Sequence, residues 1–124
     1  MAQKILIIED NDRNRIILRD ILMCHHYTVL EASAGREGIE IARKEKPDLI
    51  LLDIQMPGLD GYDTGKLLKS FPETKTIPLV AVTSYAMEGD KRKILASGID
   101  DYISKPYDVN DMVALVKRTL RPDA

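Results

Sequence analysis

Leu49-Ile50-Leu51-Leu52-Asp53 is the stretch on which the fold turns. Four consecutive apolar side chains, with no polar alternation, read as a strand covered on both faces. Strands of that kind belong to parallel sheets sandwiched between helices. Ile5-Leu6-Ile7-Ile8 and Leu79-Val80-Ala81-Val82 repeat the pattern, while Tyr27-Thr28-Val29-Leu30-Glu31-Ala32 and Asp101-Tyr102-Ile103-Ser104 are weaker runs suited to the sheet edges. Helical spacing fills the intervals. Ile17, Ile21 and Cys24, with Leu18 and Leu22 beside them, follow the polar Asn11-Asp12 start. Ile39 and Ala42 follow Ser33, an expected N-cap, and the helix ends before Lys46-Pro47. Helices are expected over 62–70, closed by Phe71-Pro72, and over 88–96, stopped by Ser97-Gly98. Met112, Val113, Leu115, Val116 and Leu120 form a last stripe after Asp108-Val109-Asn110. Strand alternates with helix five times, which predicts an α/β fold with a single doubly wound, five-stranded parallel sheet.

At 124 residues, with 18 Lys+Arg against 20 Asp+Glu and a net charge of −2, the chain has the size of one domain. That charge balance disfavours a nucleic-acid binder. No apolar run approaches the roughly 20 residues of a membrane helix, and with 1–4 leading straight into the first strand no signal peptide is expected. The single cysteine, Cys24, cannot form an internal disulfide and is expected to be a buried thiol. These features lead us to expect a cytoplasmic domain over 1–124 with no output domain attached.

In open parallel sheets the ligand site lies beyond the carboxyl ends of the strands. The first run is followed by Glu9 and Asp10, the third by Asp53, the fourth by Thr83 and Ser84, and the fifth by Lys105-Pro106. Three carboxylates, a hydroxyl and an ammonium thus converge on one edge. Clustered carboxylates repel one another and call for a cation, and an all-oxygen set without Cys or His points to Mg²⁺ rather than zinc. Lys105 and Thr83 suit the oxygens of a phosphoryl group. A carboxylate can itself accept that group as an aspartyl-phosphate, and Asp53 is the most central candidate.

With this set, Met56-Pro57 and Asp60-Gly61 after Asp53, and Lys105-Pro106, the sequence resembles a response-regulator receiver domain of two-component signalling over essentially its whole length. It is similar to stand-alone receivers of the DivK type and to receiver modules of hybrid kinases, particularly in Tyr85-Ala86-Met87-Glu88-Gly89-Asp90. The resemblance implies a flavodoxin-like (βα)5 fold with strand order 2-1-3-4-5. It implies phosphorylation of Asp53 by a histidine kinase or histidine phosphotransfer protein, and Mg²⁺ held by Asp10, Asp53 and the backbone carbonyl of Gln55, with Glu9 acting through water. It further implies Thr83 and Tyr102 as switch residues and a cis peptide between Lys105 and Pro106. The downstream partner is expected on a face carrying Tyr102, Pro106 and Tyr107. A kinase is expected along the first helix, with Asn14, Arg15 and Leu18 as candidates, and at the Pro106 loop. A monomer is expected before phosphorylation, and the chain is expected to be a switch rather than an enzyme. Ser84 stands where alanine is more usual. Gln55 and Tyr85 flank the approach of a hydrolytic water, with Gln55 able to hold that water and Tyr85 expected to shield the phosphoryl group.

Other motifs fall short. Asp10-Asn11-Asp12 reads as the opening of a haloacid-dehalogenase-type phosphatase but leaves Asp53 idle. An EF-hand start at Asp10 fails at Arg15 and Ile21, and a P-loop at Gly61–Lys66 fails in its spacing and at Leu67. A flavin site would need a Ser/Thr/Gly-rich loop after the first strand, where this loop is acidic.

Overall fold

A computed structural model describes residues 2–84 and 88–120. The elements run β1 (Lys4–Ile8), α1 (Asp12–Cys24), β2 (Thr28–Ala32), α2 (Gly35–Glu45), β3 (Leu49–Asp53), α3 (Gly61–Ser70), β4 (Leu79–Thr83), α4 (Glu88–Ala96), β5 (Asp101–Ser104) and α5 (Val109–Leu120). The strands form one parallel sheet in the order β2-β1-β3-β4-β5, the expected flavodoxin-like arrangement.

The unbroken apolar runs are two interleaved faces. Leu6, Ile8, Ile50, Leu52, Leu79 and Ala81 pack in one cluster with Ile39, Ala42, Leu68 and Ile94 of α2–α4. The alternate residues Ile5, Ile7, Leu49, Leu51, Val80 and Val82 pack with Leu18 and Leu22 of α1 and Met112, Leu115 and Val116 of α5. Side chains of period two, buried on both sides, leave no polar position between the end residues of a central strand. The edges differ as expected: β5 is half-buried throughout, and β2 begins exposed.

Asn11 caps α1 by accepting the Asn14 N–H at 2.9 Å, and Asp60 caps α3 by accepting that of Asp63 at 2.9 Å. Gly98, at φ +87, ends the turn after α4 in a conformation that favours glycine. Three sequence expectations are corrected. Ser33 is not the cap of α2; the N-cap is Ala34, without a side-chain bond, and the Glu37 carboxylate instead reaches back to the Ser33 N–H at 2.6 Å. On α1 the buried pair is Leu18 and Leu22, whereas Ile17 is 48 % exposed. Cys24 is exposed, because it follows that outer side rather than the stripe packed on the sheet.

Candidate functional site at the carboxyl ends of the strands

The register brings the expected residues together. Ile8 pairs with Leu52, Asp53 with Val82 and Thr83 with Ser104, so Glu9, Asp53, Thr83 and Lys105 leave the sheet at nearly one level. Asp53 and Thr83 are the last residues of β3 and β4 and are buried. Backbone bonds from Glu9 to the Ala32 carbonyl (3.0 Å) and from Lys105 to the Thr83 carbonyl (2.7 Å) extend the ladder one residue past the strands. The Lys105–Pro106 peptide bond is cis.

Carboxylate oxygens of Glu9, Asp10 and Asp53 lie within 4.8 Å of one another, with Asp10 the most open of the three. Lys105 Nζ stands 3.1 Å from Glu9 Oε1 and 3.5 Å from Asp53 Oδ1. Asn11 donates its backbone N–H to Glu9 Oε2 (3.2 Å), and Gln55 donates its own to Asp53 Oδ1 (3.1 Å). Three oxygen donors this close, two of them buried and countered by one ammonium, fit a hard divalent cation such as Mg²⁺.

Burial first, then contact with Glu9 and its charge, push the Asp53 carboxyl up to about 7, against the opposing pull of Lys105 and the Gln55 N–H. Burial would raise Glu9 too, but its hydrogen bonds with Asp53, Asn11 and Lys105 outweigh burial and hold it below the usual range. Burial alone would lower Lys105; the Glu9 bond and the two carboxylates reverse that and hold it above its ordinary value. The carboxylates titrate as a pair that keeps one proton on Asp53 well above the ordinary aspartate range. A carboxyl raised above its unfolded value stabilises the fold below that value, and this contribution is lost as pH rises through the folded one. Metal-free protein is therefore expected to lose about 1–2 kcal/mol between pH 5.5 and pH 8 through this group. The lowered Glu9 acts in a separate window, its contribution being present above 4.5 and lost in more acid solution. Thermal melts in EDTA check this: Asp53→Asn should flatten the slope above pH 5.5 and be the more stable protein at pH 8.

Beside the carboxylates a groove of about 410 Å³ runs between α1 and the start of α5, walled by Asn14, Ile17, Ile21, Pro106, Tyr107 and Val109. The face expected to carry Tyr102, Pro106 and Tyr107 together is divided. Tyr102 packs, half-buried, on the α2–α4 layer with Lys91 Nζ 5.8 Å from its ring centre, whereas Tyr107 packs on the α1/α5 layer. Two of the expected α1 contacts are already engaged within the chain. Leu18 is in the core, and Arg15 bonds the Glu9 carbonyl (3.0 Å), Glu31 Oε1 (3.2 Å) and Asp12 Oδ1 (2.7 Å). Arg15 thus braces the β1–α1 loop, a role that sequence reasoning missed. Asp12, 81 % exposed, is paired to Arg15 and is not one of the clustered carboxylates, which disfavours the dehalogenase-type reading.

Both ends of the Gln55 amide are engaged within the chain. Nε2 donates to Thr83 Oγ1 (2.8 Å), and Oε1 accepts the Ser84 N–H (3.0 Å). Tyr85, the expected shield, lies outside the described residues.

Comparison with known proteins agrees with this geometry. The model of the response regulator receiver domain matches residues 5–117. The chain is 38% identical over 120 residues to the polar-differentiation response regulator DivK of Brucella ovis, covering 97% of this chain and 98% of the relative. Among solved structures it is similar to a signal receiver domain of a signal transduction histidine kinase from Syntrophus aciditrophicus (34% identity, TM-score 0.90, 98% and 92% of the two chains). It is also similar to the receiver domain of a sensor histidine kinase from Pseudomonas aeruginosa (28% identity, TM-score 0.90, 97% and 98%), whose active-site cleft coordinates a magnesium ion. Receiver domains are signalling switches that take phosphoryl groups from histidine kinases or phosphotransfer proteins and bind Mg²⁺ at an acidic pocket. With the family's model spanning nearly the whole sequence and the acidic cluster, Thr83 and Lys105 gathered at one edge of the sheet, this chain belongs to the response regulator receiver domain family.

Proposed function

We propose that the chain is a stand-alone phospho-switch, a single domain over 1–124, in which Asp53 accepts a phosphoryl group from a phosphohistidine donor. The observation that carries this reading is the buried Asp53 carboxylate beside Glu9, Asp10 and Lys105. Mg²⁺ would be held by Asp10, Asp53 and the Gln55 carbonyl, with Glu9 acting through water, and would supply charge neutralisation for the transferring group. The chain's own residues do the rest. Asp53 attacks through a carboxylate oxygen, the phosphorus–nitrogen bond of the donor breaks, and the imidazole leaves with the electron pair of that bond. Lys105 carries a positive charge to the phosphoryl oxygens, and the Thr83 hydroxyl, one residue beyond Asp53's strand partner Val82, reaches another.

A phosphoryl group adds charge and three strong acceptors to a buried edge, so Thr83 and Lys105 are drawn toward it and Tyr102 takes a new rotamer as β4 shifts. The division of the aromatic residues suits separate surfaces: a donor in the groove of α1, Pro106 and Tyr107, and a downstream protein at Tyr102 and α4. No helix among the described residues is long and apolar enough to cross a membrane. A cytoplasmic monomer without nucleic-acid affinity accords with this reading.

The test is transfer from a purified, phosphorylated histidine phosphotransfer protein in Mg²⁺, with loss of phosphohistidine and gain of acid-stable, base-labile phosphate on this chain. Retention of the label by the donor under all metal conditions overturns the reading. Ile17→Lys, on an exposed groove wall, is expected to slow that transfer about tenfold while leaving labelling by acetyl phosphate unchanged.

A further inference from the structure

The Gln55 amide is oriented from both ends. A backbone N–H only donates, so the Ser84 N–H fixes Oε1 on its own side and leaves Nε2 facing Thr83. Nε2 then occupies a lone pair of Thr83 Oγ1, and the Thr83 hydroxyl proton must point away from Gln55. The backbone N–H of the same residue lies on Asp53 Oδ1. One residue therefore bonds both the carboxylate that would carry the phosphoryl group and the hydroxyl that would meet it.

We propose that Gln55 is a positioning residue that presets Thr83 as a hydrogen-bond donor toward the group on Asp53. A phosphoryl group presents acceptors, so a hydroxyl serves it only with its proton aimed outward. Without the amide, the hydroxyl rotates among its neighbours, and its contribution is diluted. With the amide in place, the chain Ser84 N–H to Gln55 to Thr83 to phosphoryl oxygen runs donor to acceptor in one direction, and each bond polarises the next. This assigns the Gln55 side chain to the switch itself instead of to hydrolysis. The inference rests on the proposed role of Asp53.

The experiment is a double-mutant cycle on the full chain, with beryllofluoride and Mg²⁺ as the phosphoryl mimic and bound fluorine signals as the readout. Gln55→Glu preserves size but offers only acceptors, so it keeps the Ser84 N–H and draws the Thr83 proton to itself. Thr83→Val is expected to weaken beryllofluoride binding about fivefold in the native sequence and less than twofold in the Gln55→Glu background. Repulsion between the added carboxylate and the anion is common to both arms of that background and cancels. Hydrogen exchange separates polarity from simple loop support. Ser84 amide protection should persist in Gln55→Glu and fall in Gln55→Met. An equal effect of Thr83→Val in both backgrounds overturns the inference alone. Absence of beryllofluoride binding to the native chain overturns the role of Asp53 and the inference with it.

Discussion

Gly61→Ala is expected to destabilise the protein by about 3 kcal/mol and lower its Tm by roughly 10 °C. A Cβ at Gly61 would press on the backbone Cα of Ile54 and stand 2.7 Å from the Asp53 carbonyl oxygen. Both are backbone atoms of the segment that leaves β3, and the Gly61 N–H is itself bonded to the Ile54 carbonyl at 3.1 Å. Neither side can yield without moving β3, the strand that ends in Asp53. Gly58 is the control. Its Cβ would meet nothing, but its φ of +74 is unfavourable for other residues, so Gly58→Ala should cost only about 1 kcal/mol. Denaturant melts of the two variants check the contrast. A loss at Gly61 no greater than that at Gly58 would mean that α3 can back away from β3.

Lys105→Met carries the second large effect. Removing the ammonium leaves Glu9 and Asp53 facing one another, buried, without a counter-charge. Above pH 7 both would have to ionise against burial, and a loss of about 2 kcal/mol is expected in EDTA at pH 8. Below pH 6 Asp53 holds its proton and most of the loss should return. Mg²⁺ should also rescue the variant, and with higher affinity than in the native chain, because the competing cation is gone. Urea melts across pH, with and without Mg²⁺, measure all three effects. A deficit that is independent of pH and metal would show that Lys105 acts through packing of its stem instead of its charge.

What was legible in the sequence depended on how locally each feature is encoded. The runs 5–8, 49–52 and 79–82 disclosed β1, β3 and β4 because burial on both faces leaves a continuous apolar signature. The residues at their ends then followed from topology, since parallel strands in register bring their last residues to one edge. On α1, by contrast, Ile16, Ile17, Leu18, Ile21 and Leu22 make so broad an apolar surface that periodicity selected the wrong stripe. Part of that surface walls the groove instead of the core. Cys24, expected to be buried as free thiols commonly are, is exposed on the same helix. The amide of Gln55 on Thr83 and the guanidinium of Arg15 on Glu31 join positions 28 and 16 apart. Such bonds depend on rotamers of residues on different elements, and no spacing in one chain announces them.

Intact mass after incubation with acetyl phosphate reads whether Asp53 receives the phosphoryl group in a Mg²⁺-dependent reaction. A single phosphoryl group should add to the native chain with Mg²⁺ and none in EDTA. Addition to Asp10→Asn should be much reduced, and Asp53→Asn, with its fold intact, should take none. Undiminished, Mg²⁺-dependent labelling of Asp53→Asn would show that the phosphoryl group goes elsewhere.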